Sequence, residues 1–306
     1  MRYIRLVEYL RQLIILQVIR FRDGEPELAE QMHRHPNRRT KAMVALVMAA
    51  GLFMIVVAPF LIEWTLIPIF AGQVERIKTQ PTLWSAPVMV SYFFPFWRVA
   101  CITAGIMLPL TGYAFLKEEK WAWPVALSAL SVPCIAGGHM IVPWFNFVAT
   151  GIPPAMFILI VGLVAYLTIL LIPKADKMQK VTNLVVFFLL GLTAAESFVN
   201  GFATTRMLLA RPGAPMFQGI EWSILTVGGP LDWVATVGIF LSIPLLAARK
   251  PLGWYVALGA GLLVTIANFP THYVRAVTLD YFYNGILGLA LVIVLLIPAF
   301  RLRLVD

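Results

Sequence analysis

From residue 43 onward the chain is built of apolar runs that no water-facing helix would carry. The first, VALVMAAGLFMIVVAPFLIEW (Val44–Trp64), has a single charge in 21 residues. A run of about 18 or more apolar residues reads as a membrane-spanning helix. Eight such runs are predicted, at roughly 43–63, 94–116, 121–142, 150–172, 181–203, 224–247, 252–270 and 280–300. Charged residues make up 13% of the chain, against about 25% in a soluble domain. A transmembrane β-barrel would alternate apolar and polar residues in segments of about ten, and no segment does. The expected fold class is an all-α polytopic membrane protein with eight transmembrane helices.

The formal charge of +9 is concentrated in short segments between the runs. Lys117–Lys120 (KEEK), Pro173–Lys180 (PKADKMQK), Ala248–Pro251 (ARKP) and the tail RLRLVD fall on one side of an eight-span chain, together with the basic N-terminal arm. By the positive-inside rule that side is the cytoplasm. The expectation is a multi-pass protein of the cell inner membrane with both termini inside. The basic balance is explained by topology and calls for no nucleic acid. Residues 1–42 form a cytoplasmic arm, in which RYIRLVEYLRQLIILQVIRFR has the spacing of an amphipathic helix lying on the bilayer or on another subunit. His33 and His35 follow in a polar stretch with no third metal ligand nearby. No cleavable signal peptide is expected. On the outer side, connectors 64–93 and 204–223 are long and rich in Pro, Trp and Met, suited to a lid or a re-entrant segment. Cys101 and Cys134 fall within spans, where they pack as small apolar residues.

The two halves resemble each other. Trp123-Pro-Val-Ala-Leu returns as Trp254-Tyr-Val-Ala-Leu. Val99-Ala100 with Pro109-Leu110 returns as Val234-Ala235 with Pro244-Leu245, and Leu170-Leu-Ile-Pro173 as Leu295-Leu-Ile-Pro298. The offset runs from 125 to 135 residues. Four spans per repeat place the halves in parallel, so two tandem four-helix bundles are expected, 43–173 and 174–306. His139 lies sixteen residues after Trp123 and His272 eighteen after Trp254, which suggests equivalent positions near the outer ends of spans three and seven.

Ionisable residues inside a membrane face a partner, a cavity or a ligand. Glu63, Arg98, His139, Glu196, Asp232, His272 and Arg275 all fall in the expected outer half, while the inner half of the spans is almost free of charge. His139 can hydrogen-bond a ligand carbonyl or serve only as a satisfied interface group. Glu196 or Asp232 can carry a proton, and Asp232, after Gly228-Gly-Pro, can equally cap a helix. Arg98 can hold a ligand oxygen or anchor the interface. No hydrolase, zinc-protease or nucleotide-binding motif is present. Each half has one membrane histidine, so a haem would need His139 and His272 to meet across the halves.

The stretch PWFNFVATGIPPAMFILIVGLVA, Pro143–Ala165, resembles the NrfD-type family, the membrane anchors of polysulfide reductase and its relatives. In that family a Pro-Trp loop leads through a Pro-containing entry into a Phe/Leu/Gly-rich helix. The four-plus-four architecture and the chain length also fit. The resemblance implies a subunit that holds no haem and has no catalysis of its own. It would exchange electrons between a quinone, ubiquinone or menaquinone, and an iron–sulfur or cytochrome partner subunit, alongside other membrane subunits in the bilayer. From depth and charge alone, the quinone-site candidates are His139, Arg98, Glu196, Asp232 and His272. The alternatives are a structural membrane subunit, a b-type haem protein and a small-solute transporter.

Overall fold

A computed structural model describes residues 37–210, 219–275 and 278–305. The N-terminal amphipathic segment, His33, His35 and residues 211–218 of the second outer connector lie outside the described residues. The described residues are helical throughout, without a strand: α1 (Arg38–Val56), α2 (Ala58–Ile77), a 3-10 turn (Pro81–Leu83), α3 (Ser85–Leu116), α4 (Ala122–Phe147), α5 (Ala155–Leu171), α6 (Lys177–Ala210), α7 (Gly219–Ala247), α8 (Pro251–Arg275), α9 (Asp280–Leu296) and α10 (Pro298–Val305). The chain divides into two units, Met1–Lys41 and Ala42–Asp306. In the first, Asn37 caps α1, its Oδ1 accepting the Thr40 amide at 2.9 Å. The remainder concerns the second.

Among the described residues, six helices (α1, α3, α4, α6, α7 and α8) are long and apolar enough to cross a membrane, and seven if α9 and α10 count as one bent span. α5 is apolar but has only 17 residues. The chain is therefore a multi-span helical membrane protein.

The outer connector expected at 64–93 is mostly helix. After a break at Val57, which Pro59 enforces by lacking an amide hydrogen and crowding the preceding turn, α2 continues to Ile77. Its Phe60, Trp64, Ile67 and Val74 are exposed, while Ile62, Thr65, Ile69 and Gln73 are buried. That is the two-faced pattern of a packed helix. α3 begins at Ser85, well before the expected residue 94. Pro87 lies in its first turn, where no amide bond is lost. Pro68 and Pro95 sit inside helices, as membrane helices tolerate. α6 likewise runs on to Ala210, through the start of the connector expected at 204–223.

α4 packs against α3, α5, α2, α6 and α7. Two glycines permit close helix approaches. A Cβ at Gly137 would lie 2.7 Å from the Leu159 amide nitrogen of α5, and one at Gly288 of α9 would lie 2.8 Å from the Gly261 carbonyl oxygen of α8.

The halves share joints as well as letters. α3 and α7 both end in a residue of positive φ, Glu118 at 57° and Arg249 at 54°. In each case a crossed pair of bonds closes the helix: Glu119 N to Ala114 O and Glu118 N to Phe115 O in one, Lys250 N to Leu245 O and Arg249 N to Leu246 O in the other. This is the Schellman closure, usually given to glycine. The indoles of Trp123 and Trp254 then donate to the last turns of α5 and α9, at Ile169 O (3.3 Å) and Leu295 O (2.9 Å).

Candidate functional site

His139 is 1% exposed. α4 carries it to the end of the unit where α2, α4, α6 and α8 finish and α3 and α9 begin. Rings from two neighbours enclose it: Phe93 and Phe94 of α3, and Phe198 and Phe202 of α6, the last two 4.8 and 5.0 Å away between centroids. The Trp97 indole of α3 donates to His139 Nδ1 at 3.2 Å. An indole is a donor only, so Nδ1 holds no proton and the imidazole is the neutral Nε2–H tautomer. That Nε2 is buried without a hydrogen-bond partner. The aromatic box therefore fixes one buried donor without a partner, and an unmet polar group is destabilising.

His139 belongs to the wall of a cavity of about 430 Å³. Gln73 of α2 lines the same space, and its Oε1 is also buried without a partner. Three guanidinium groups reach the cavity from three helices, Arg76, Arg206 and Arg275, with one carboxylate, Asp280. Arg76 donates to Asn146 O at 2.8 Å and Arg275 to the Tyr281 hydroxyl at 3.3 Å. Among the described residues the ion pairs are Lys78–Glu75 and Arg98–Glu63, so none of the three arginines is neutralised in place. The cavity is positive, with an imidazole donor and amide groups at its wall.

Behind it runs a directed chain of amides. Asn200, on the cavity wall, donates to Asn268 Oδ1 at 2.8 Å, and Asn268 donates to Asp232 Oδ1 at 2.7 Å. Asn268 also donates to Val264 O at 2.9 Å. With both hydrogens spent, its orientation is fixed. The order leaves Asn200 Oδ1 as the acceptor that the chain presents toward the cavity. Alongside, Thr204 and Tyr281 share a hydrogen bond of 2.9 Å.

A second hollow of about 370 Å³ lies between α4, α5 and α6, lined mainly by apolar side chains with Tyr166 and the carboxylate of Glu196. Val142 and Val199 line both spaces. A polar chamber thus adjoins an apolar groove across two valines.

The five sequence candidates therefore separate. His139 is on the cavity wall. Asp232 is buried behind it, joined through Asn268 and Asn200; it lies mid-helix in α7 and caps nothing. Glu196 lines the neighbouring groove. Arg98 is about half exposed and pairs with Glu63 at 3.4 Å, away from the cavity. His272 is half-buried against Phe282, 5.4 Å between rings, and does not line the cavity. The two-residue difference in spacing from the paired tryptophans turns a helix by roughly 200°, and the two histidines sit against different rings. Trp97, Gln73, Asn200, Asn268, Asp280 and Tyr281 had not been singled out. The available signal was uncharged amides inside apolar runs, whereas ionisable residues had drawn the attention. No family model matches the chain, and neither a curated protein nor a solved structure is significantly similar to it.

Proposed function

We propose that this chain is the quinone-interacting membrane subunit of a multi-subunit oxidoreductase of the NrfD type, with eight spans in two tandem bundles and both termini in the cytoplasm. It passes electrons between a membrane quinone and an iron–sulfur or cytochrome partner subunit. The observation that carries this reading is the unspent Nε2–H of His139, in a polar chamber next to an apolar groove. An amphiphile with a carbonyl head and an apolar tail complements that pair of spaces. The repeated helix closures and tryptophan bonds support a duplicated bundle.

In this reading His139 positions the head and does not act as its base. Its Nε2 already carries a proton, and a second would have to displace Trp97 from Nδ1. When a quinol gives two electrons to the partner, two protons leave its hydroxyls. Asp280, the carboxylate on the chamber wall, takes one, and the other leaves through the chamber to water. The arginines hold developing negative charge on the head. Asp280 thus replaces Glu196 and Asp232 in the proton role, because neither of those reaches the chamber.

The test is quinone retained per protein after purification in mild detergent. His139→Leu is expected to lower it about tenfold, the worth of one hydrogen bond in a dry site. His139→Gln, which restores a donor, is expected to keep part of it. Wild-type protein without quinone, or a leucine variant that retains it equally, overturns the reading.

A further inference from the structure

The opposite end of the unit holds a smaller pocket that the redox reading leaves unused. After α9 the chain extends at Ile297 (ψ 117°) and restarts at Pro298, and α10 leaves at 78° to α9. If α9 crosses the bilayer, α10 lies close to the membrane plane. It packs on α6, α7, α8 and α9. Leu304 is buried, and the Arg301 guanidinium lies 4.5 Å over the Trp254 ring. Exposed Trp121 and half-buried Trp123 stand at the same end, the usual level of the lipid headgroups.

Between α10, the end of α7 and the α5–α6 connector is a cavity of about 180 Å³, the liquid share of about six waters. Its polar wall is Gln179, Asn183 and Arg303, its apolar wall includes Trp123 and Phe187, and Lys174 and Arg249 stand at the rim. Among the described residues no carboxylate lines it. The nearby acid, Asp176, spends Oδ1 on the Gln179 amide at 2.7 Å. Glu118 and Glu119 lie at the same end in the α3–α4 connector, outside the lining. None of the three cations makes an ion pair among the described residues. Gln179 fixes the wall by donating to Asn183 Oδ1 (2.8 Å) and to Arg303 O (3.2 Å). Arg303 donates from one terminal nitrogen to Ala299 O, and its Nε is buried without a partner. An unspent donor, three unpaired cations and an apolar wall converge at headgroup level.

We infer that this pocket binds the phosphate group of an anionic phospholipid, with Arg303, Lys174 and Arg249 as its ligands and the Trp123–Phe187 wall against its glycerol and chains. Basic pockets between membrane helices on the cytoplasmic side take such headgroups, and a guanidinium matches a phosphate in two-point geometry. The bound lipid ties α10 to α6 and α7. The inference is independent of the quinone reading.

The full chain is placed in nanodiscs of phosphatidylcholine alone or with added phosphatidylglycerol, and thermal stability and lipid retained on re-extraction are measured. Phosphatidylglycerol is expected to raise the melting midpoint and to be retained. Each charge removed, in Lys174→Gln and Arg249→Gln, lowers retention about fivefold. Both side chains are exposed and make no ion pair among the described residues, so these variants carry the test even if Arg303→Gln fails to fold. Lys117→Gln and Lys120→Gln, at the same end but outside the lining, leave retention unchanged. Equal loss in those controls shows general surface charge and overturns the site. Equal stabilisation by inorganic phosphate in phosphatidylcholine discs overturns the lipid as its source. Full retention by the Lys174 and Arg249 variants overturns the inference altogether.

Discussion

Asn268→Leu breaks the buried amide chain at its middle, and its effect follows from the bonds around it. Asn268 is 0% exposed, and Asn200 and Asp232 are each 1% exposed. The substitution removes the Asn200–Asn268 bond and the bond to the Asp232 carboxyl, each worth about 1 kcal/mol. It also leaves Asp232 in a dry core without its amide donor, a further cost of about 1 kcal/mol. A total near 3 kcal/mol, at about 2 °C per kcal/mol for a chain of this size, lowers the melting midpoint by roughly 6 °C. Asp232→Asn is the contrasting variant. Its Oδ1 still accepts from Asn268, so the loss is expected to be no more than about 1 kcal/mol, or roughly 2 °C. A thiol-reactive fluorophore reads both variants at fixed scan rate, because Cys101 is fully buried and Cys134 largely so. Refutation would be an Asn268→Leu midpoint within 2 °C of wild type by the same reckoning, or an Asp232→Asn variant that falls as far. Either would show that the chain of bonds does not support the core as drawn.

Gly137→Ala is expected to lower the midpoint by about 1–3 kcal/mol equivalent, because its methyl meets Leu159 backbone atoms at 2.7 and 2.8 Å. Gly259→Ala, with open space at its Cβ, is expected to raise it by up to about 1 kcal/mol. Trp97→Phe frees His139 Nδ1 and with it the tautomer. Quinone retention then drops about twofold if both tautomers become equally populated, since half the imidazoles no longer present Nε2–H, whereas a retention unchanged from wild type argues against tautomer control. Asp280→Asn in the intact complex is expected to slow quinol oxidation about tenfold or more while leaving quinone retention intact, and a variant with normal turnover removes Asp280 from the proton path.

The membrane class was legible because apolar length is a one-dimensional signal, and among the described residues six helices are long and apolar enough to cross a membrane. The repeat was legible in its letters, but the bonds its tryptophans make were not: Trp123 and Trp254 reach carbonyls 46 and 41 residues further along the chain. What failed depended on angles around helix axes. His139 and His272 looked equivalent because a difference of two residues is small in a string, yet it is more than half a turn on a helix. The cavity was hidden for another reason. Gln73, Asn200 and Asn268 carry no charge, and their importance comes from facing one another across α2, α6 and α8. The connector 64–93 was misread because Pro68, Pro81 and Pro87 are loop signals in water, whereas here Pro81 and Pro87 fall in first turns and Pro68 inside a packed helix.

The shared valines have a consequence for how an occupant of the chamber arrives. Trp123 and Gln179 both line the pocket at the far end and mark a common level. His139 is sixteen residues along α4 from the first and Glu196 seventeen along α6 from the second, so both stand roughly 24–26 Å from it at 1.5 Å per residue. The groove and the imidazole are at one depth, and passage between them past Val142 and Val199 is sideways. A molecule taking that path never enters water. Its occupancy then follows its mole fraction in the bilayer and is indifferent to its aqueous concentration. Adding empty lipid to a fixed amount of protein and ligand would strip the site by dilution in two dimensions. A ligand entering through the arginine-lined mouth from solution would not register the extra lipid at all.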